Sequence, residues 1–320
     1  MPPDERPAPV PIIIDTDIGE DIDDLLVLCF ALNSPEFEVV GVTTVDGDTD
    51  ARSRIARRVT AAYRRPATPV VAGYYRSMPQ ANEPWPALTA VTQNDVAPTE
   101  EGLPPRCETP ADELIARLAA ERPGEVYVLT IGSLTNVGQA LVRFPETARN
   151  LAGIVTNGGN FGPDRETRIG WNLRYDPVAS ATVARSEARW VLIPEGMKNL
   201  GGLSAEDVEA IRTRGLETTD VIFTAIQGWR ANKREVKPDS TPHLSDLRVF
   251  AHLLGGIIET VPGRAFVTVG PRGTVAELRV ERDDEGPHTL GWTAGAQAGA
   301  DLHDLFMKRI LAEPIATKEV

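Results

Sequence analysis

Residues 12–28 read Ile-Ile-Ile-Asp-Thr-Asp-Ile-Gly-Glu-Asp-Ile-Asp-Asp-Leu-Leu-Val-Leu, an acidic turn between two apolar runs. Five aspartates and one glutamate (Asp15, Asp17, Glu20, Asp21, Asp23 and Asp24) fall within ten residues. Carboxylates at that density repel one another unless a cation or a proton relieves them, and a hard divalent cation with oxygen ligands is the simplest relief. Val10–Ile14 reads as a buried parallel strand and Leu25–Leu32 as a buried helix. Asp15 and Asp17 are thereby set at a strand's C-terminal end, where open α/β sheets bind their ligands. The segment predicts a metal site.

Three other readings compete. Asp23 or Asp24 could cap the following helix and complement its dipole, but that leaves Asp15 and Asp17 unexplained. A calcium-binding EF-hand loop starting at Asp15 fails: its turn position holds Glu20 rather than Gly, and its twelfth holds Leu26 rather than Glu. A magnesium-dependent aspartyl-phosphate phosphatase also starts with an apolar strand ending in Asp-x-Asp. In that reading Asp15 is the nucleophile.

The net charge of −13 argues against nucleic acid or an anionic membrane surface as partner. Cys29 and Cys107, the two cysteines, make neither a disulfide framework nor a metal motif. The Pro-rich start lacks a signal peptide's basic and apolar regions, and no run approaches ~18 apolar residues; a cytoplasmic protein is expected. Strand and helix patterns alternate to the C-terminus. Strands are predicted at 39–45, 68–72, 126–131, 154–156, 190–193, 265–269, 275–280 and 289–292. Helices are predicted at 50–63, 111–120, 176–184, 204–214, 219–233, 247–258 and 300–311, the first with arginines on its outer face. Residues 73–109 show no periodicity, and long segments of that kind are often active-site lids. The expected organisation is a flexible tail, residues 1–10, and one α/β domain, residues 11–314, with a Rossmann-like, mostly parallel central sheet flanked by helices.

Several short blocks coincide with one family. Asp15-Thr16-Asp17-Ile18-Gly19 followed by Asp23-Asp24 resembles the signature of the calcium-dependent nucleoside hydrolases (inosine/uridine-preferring), with extra residues before the paired aspartates. Val45-Asp46-Gly47-Asp48 resembles that family's Val-x-Gly-Asn loop, and Ile131 to Asn136 its Gly-Pro-Leu-Thr-Asn turn. Asn157-Gly158-Gly159-Asn160, Trp171-Asn172 with Asp176-Pro177, and Ser245-Asp246-Leu247 resemble later blocks. The likeness runs from about Val10 to Leu311 and implies the nucleoside hydrolase fold. It implies Ca²⁺ held by the side chains of Asp17, Asp24 and Asp246 and the carbonyl of Ile131. It also implies Asp17 as the base that takes a proton from water, and a substrate site drawn from Asp23, Asp48, Asn160, Gly170, Trp171, Asn172, Trp229 and Asp246. The implied reaction hydrolyses the N-glycosidic bond of a nucleoside-like small molecule. Positive charge builds on the sugar, as in glycoside hydrolysis generally, and carboxylates suit it. Assembly as a homodimer or homotetramer is implied as well.

Four departures stand out. The family's acidic His is Ser245 here, which leaves His243 or a residue near Trp229 and Arg230 to protonate the base, or a ribose-binding homologue without turnover. In an extended stretch His243 and Ser245 stand about 6–7 Å apart on one side. The family Glu facing the sugar's 5′ end is Gly170, which opens space. With Arg168 and Arg174 nearby, this motivates the hypothesis of a 5′ substituent such as phosphate; a strong preference for a free 5′-hydroxyl would discard it. Asp48 replaces the family's loop Asn and adds a carboxylate near the metal. Gln93-Asn94-Asp95 stands where the lid's His-Gly pair is expected.

Overall fold

The structure, a computed structural model, describes residues 8–78, 90–163, 165–197, 201–270 and 276–316. Its first strand, β1 (Val10–Thr16), is buried on both faces and lies in the middle of the sheet. It already begins at the last residue of the expected tail, whose residues 1–7 lie outside the described residues. Isoleucines 12 and 14 join one core while Ile13 joins the other, as period-2 alternation requires of a strand covered on both sides.

The remaining strands are β2 (Phe37–Thr44), β3 (Val70–Ala72), β4 (Tyr127–Thr130), β5 (Gly153–Asn157), β6 (Trp190–Ile193), β7 (Ile258–Val269), β8 (Ala276–Arg282) and β9 (His288–Ala294). They form a nine-stranded sheet in the order β3-β2-β1-β4-β5-β6-β9-β7-β8. The first seven in that order run parallel, and β7 pairs antiparallel with β9 and β8. Strand order reverses between β1 and β4, which is where such sheets open a ligand crevice.

Helices α1 (Asp23–Leu32), α2 (Thr49–Ala62), α3 (Ala111–Glu121), α4 (Thr135–Arg143), α5 (Thr147–Asn150), α6 (Trp171–Tyr175), α7 (Pro177–Arg185), α8 (Ala205–Thr213), α9 (Glu217–Asn232), α10 (Leu247–Leu254) and α11 (Ala298–Ile310) flank the sheet. One core gathers α1, α2 and α8–α11; the other gathers α3, α4 and α7.

Two expectations are corrected. Helix α10 stops at Leu254 rather than continuing to Ile258, because Gly255 and Gly256 take φ of 72° and 71° and end the helix. Arg52 and Arg57 on α2 turn inward, with 0% and 2% exposure. Arg57 reaches Glu100 at 2.6 Å and the Pro104 carbonyl at 2.9 Å. Partners of this kind make burial of a guanidinium tolerable.

Candidate active site

A cavity of about 290 Å³ opens over the C-terminal strand ends. Its wall comes from far-separated segments: Asp17, Glu20, Asp21, Asp23 and Asp24 after β1, Ile131 after β4, Asn157 ending β5, Glu195 after β6, and His243, Ser245, Asp246 and Arg248 before and within α10. Trp171 and Asn172 of α6 and Lys233 after α9 complete it.

The carboxylates are tightly grouped. Ligand atoms of Asp23, Asp24 and Asp246 lie within 4.8 Å of one another, and all three residues are buried. Asp23 and Asp24 occupy the first turn of α1 and make no cap. Thr16 Oγ1 donates to Asp24 Oδ1 at 2.5 Å, and Asn157 Nδ2 to Asp246 Oδ1 at 2.6 Å. Burial and mutual repulsion hold Asp24 and Asp246 well above the usual carboxylate range. Asp17 stands beside this group. Burial raises it to about 7 despite the Arg52 guanidinium. A Cβ at position 132 would lie 2.8 Å from the Asp17 amide nitrogen and 2.7 Å from Val45 Cγ1, so Gly132 is needed for the approach. Clustered buried oxygens of this kind suit a hard cation. The Ile131 carbonyl accepts Asn172 Nδ2 at 2.8 Å and keeps a second lone pair. The donor set therefore fits a divalent metal.

Arg52 organises the acidic turn from beneath. Its Nη1 donates to the carbonyls of Asp17 and Ile18 (2.9 Å to the latter), and its Nε donates to that of Asp46 at 2.8 Å. From above, Thr92 Oγ1 donates to the carbonyls of Gly19 and Glu20, and Gln93 Nε2 to that of Asp21. Residues 92 and 93 of the expected lid thus clasp the acidic turn; residues 79–89 of the same segment lie outside the described residues.

Asp21 is more than a solvated insertion. Lys233 Nζ reaches it at 2.5 Å and His243 Nε2 at 3.1 Å. His243 Nδ1 lies 3.2 Å from Asp23 Oδ2 and 3.1 Å from Ser245 Oγ, so the side chains at 243 and 245 meet. Asp23 and Asp21 raise the imidazole to about 10, and it is an imidazolium near neutrality.

Of the residues expected to contact substrate, Asp23, Trp171, Asn172 and Asp246 line the cavity. Four do not. Asp48 is exposed and caps α2, accepting from the Ala51 amide at 2.9 Å, because a short side chain at that turn serves the free helix amides. Asn160 makes a backbone bridge with Arg168 and does not line the cavity. Trp229 is 3% exposed within the core of the α9 side. Gly170 opens no space: a Cβ there would lie 2.1 Å from Glu195 Oε1. The Glu195 carboxylate, from the loop after β6, already fills the position. Arg168 pairs with exposed Glu166, and Arg174 lies over the Trp171 ring at 4.6 Å.

Glu195 and Arg248 were not anticipated. Glu195 follows β6 in Pro194-Glu195-Gly196, a strand-end acid of the same kind as Asp17, so a signal existed. Arg248, on a helix, reads in sequence as a solvated charge. Burial raises Glu195, moderated by the backbone amides of Trp171 and Asn172 and then by Arg248, and burial lowers Arg248, moderated by Asp246 and Asp23 and then by Glu195. Asp15 is fully buried behind the cavity, where its Oδ1 accepts Thr43 Oγ1 and Asn136 Nδ2, both at 2.6 Å. It cannot reach a substrate as a nucleophile, which removes the phosphatase reading.

A sequence profile of the family described as inosine-uridine preferring nucleoside hydrolase matches residues 12–308. An uncharacterised Schizosaccharomyces pombe protein is 34% identical over 197 residues, 57% of this chain and 60% of its own length. The pyrimidine-specific ribonucleoside hydrolase RihA of Salmonella schwarzengrund is 29% identical over 225 residues, 67% of this chain and 69% of its own. The chain thus spans about three fifths of the first of these relatives. Among solved structures, a plant nucleoside hydrolase aligns at TM-score 0.76 and 22% identity, covering 95% of this chain and 99% of its own. A purine-preferring ribonucleoside hydrolase from Gardnerella vaginalis aligns at 0.75 and 19%, covering 94% and 98%. These two likenesses speak to the fold, which they share along nearly the whole chain. Together with the profile match, they lead to one conclusion: the chain belongs to the inosine-uridine preferring nucleoside hydrolase family.

Proposed function

We propose that the protein hydrolyses the N-glycosidic bond of a ribonucleoside or closely related riboside, with Ca²⁺ held by Asp17, Asp24, Asp246 and the Ile131 carbonyl. The observation that carries this reading is the grouping of buried carboxylates from opposite ends of the chain in one cavity at the switch point. Calcium, when bound, supplies a hard Lewis acid that polarises water and fixes sugar hydroxyls. Asp17, whose carboxylate the calcium would keep ionised, takes the proton of the attacking water as general base. Asp23 and Asn172 hold the ribose 2′- and 3′-hydroxyls. The surrounding carboxylates stabilise the cationic sugar as the bond to the base breaks. His243, charged and facing the cavity, delivers a proton to the departing base; it takes the place of the family residue that Ser245 replaces. Trp171, at the cavity wall and 49% exposed, offers an aromatic face to the substrate. Among the described residues no helix is long and apolar enough to cross a membrane. The proposal extends to a cytoplasmic homodimer or homotetramer, which sedimentation would check.

The test is ribose release from purine, pyrimidine and nicotinamide ribosides, with and without a calcium chelator. The expected result is release that chelation abolishes and calcium restores. Ribose binding without release, or release indifferent to chelation, overturns the proposal.

A further inference from the structure

Asp21 belongs to the extra residues of the acidic turn, and the proposed reaction gives neither it nor Lys233 a task. Its carboxylate is nonetheless fully engaged. Oδ1 accepts the Ile22 amide at 2.9 Å and faces His243 Nε2 at 3.1 Å, while Oδ2 accepts Lys233 Nζ at 2.5 Å. The backbone around each partner is fixed as well. Gln93 Nε2 donates to the Asp21 carbonyl at 2.6 Å, and the Lys233 amide closes α9 on the Trp229 carbonyl at 3.0 Å. His243 bridges Gly202 through the backbone, and the Leu203 amide donates to the Pro242 carbonyl at 2.8 Å. Three separate segments thus meet at one imidazole. Asp21 occupies Nε2, and Nδ1 is turned to Asp23 and Ser245 beside the buried carboxylates.

The His243 side chain is 44% exposed, so packing does not fix its ring, and the terminal torsion of a histidine is broad. A carboxylate on one ring nitrogen supplies the missing constraint: it keeps a proton there and aims the other nitrogen. We propose that Asp21, braced by Lys233, is the positioning residue for His243, holding Nε2–H so that Nδ1–H points to the departing base. The inference rests on the proposed function, in which His243 is the acid. As the glycosidic bond breaks, the base keeps its electron pair and takes the Nδ1 proton. Nε2–H stays on Asp21, and the proton that Asp17 takes from water restores the imidazolium. Lys233 fixes the second carboxylate oxygen and thereby the plane in which Asp21 meets the ring. Asp21 and Lys233 themselves touch neither the breaking bond nor the metal.

The test uses the calcium-loaded full chain and two substrates. One is a ribonucleoside it cleaves; the other is p-nitrophenyl β-D-riboside, whose phenol departs as a stable anion and needs no proton. His243→Gln should lower kcat on the nucleoside about 100-fold, and Asp21→Asn about 10- to 100-fold by misaiming the ring. Both should lose far less on the nitrophenyl riboside, and the loss should fall in kcat rather than KM. The double variant should be no slower than His243→Gln alone, since Asp21 then has nothing left to position. Lys233→Arg should keep most of the activity, and Lys233→Met should lose it with the same substrate selectivity. A loss in Asp21→Asn that is equal on both substrates, or that adds in full to that of His243→Gln, is what damage to the acidic turn would give. Either result overturns the inference, as does wild-type turnover of the nucleoside by Asp21→Asn. If His243→Gln is selective and Asp21→Asn is not, the inference alone falls. Absence of turnover on both ribosides in the wild type strikes the proposed function itself, and this inference falls with it.

Discussion

Replacing Arg52 by methionine tests whether the acidic turn is held in shape from below. Methionine keeps much of the apolar length but removes every donor. Three carbonyls, those of Asp17, Ile18 and Asp46, then lose their guanidinium partner. At about 1–3 kcal/mol for each buried acceptor left unsatisfied, the upper range is roughly 3–9 kcal/mol. Relief from burying a cation and entry of water into the vacated space bring the expectation to about 3 kcal/mol. That is a melting-temperature drop of roughly 5–10 °C for a chain of this size. A second effect separates scaffolding of the metal loop from general core damage. Loss of a residue that orients metal ligands typically weakens affinity about 10- to 100-fold. Under saturating calcium the variant should therefore lose a further ~1.4–2.7 kcal/mol relative to wild type, beyond its loss in chelator. Urea unfolding of both proteins, with calcium and with chelator, reads both numbers. Arg52→Lys should fall between, because one ammonium cannot fork to three carbonyls. A variant as stable as wild type within about 0.5 kcal/mol, or one equally destabilised in calcium and in chelator, would refute the reasoning.

Further outcomes are expected elsewhere. Asp17→Asn should retain measurable calcium binding by calorimetry while kcat falls by about 10² or more; turnover surviving the change would remove Asp17 as the base. Asp246→Ala should weaken calcium and ribose binding together, since its carboxylate sits inside the buried cluster. Gly170→Ala places a methyl 2.1 Å from Glu195 Oε1 and 2.3 Å from the Gly159 amide, so a loss of about 1–3 kcal/mol is expected in thermal unfolding; an unchanged melting temperature would contradict it. His288 accepts the Ala265 amide at Nδ1 (2.9 Å), and burial lowers its pKa below the usual histidine value. The unfolded chain takes up that proton first, so stability should be full above about pH 6.5 and fall as pH drops toward the lowered folded value. The slope for one proton is bounded at about 1.4 kcal/mol per pH unit. Urea midpoints between pH 7.5 and 5.5 should flatten in His288→Gln, and a parallel decline would count against this assignment.

The alternation of strands and helices was legible because apolar periodicity is local, and β6 falls at Trp190–Ile193 as expected. Helix α10 ran too long in the sequence reading because two glycines in a row can be tolerated or can terminate; their positive φ settles it. The inward turn of Arg52 and Arg57 was not legible, since an arginine is buried only when distant carbonyls or carboxylates meet it. Asp48 and Gly170 misled for a related reason. A motif names the residue at a position, but not the neighbour that already occupies the space beside it.

The acidic turn between two apolar runs was enough to point to a candidate cation site at a strand end, because crowded carboxylates favour a counter-charge. Packing alone could decide which carboxylates share that charge. Bringing Asp246 to Asp23 and Asp24 required the sheet order to reverse beside β1. Placing Glu195 in the gap left by Gly170 required β6 to end there, and facing it with Arg248 required α10 to begin there. Those approaches join residues up to 223 positions apart (246 less 23). No local pattern encodes such pairings; they follow from the free energy of closing the two cores around the sheet.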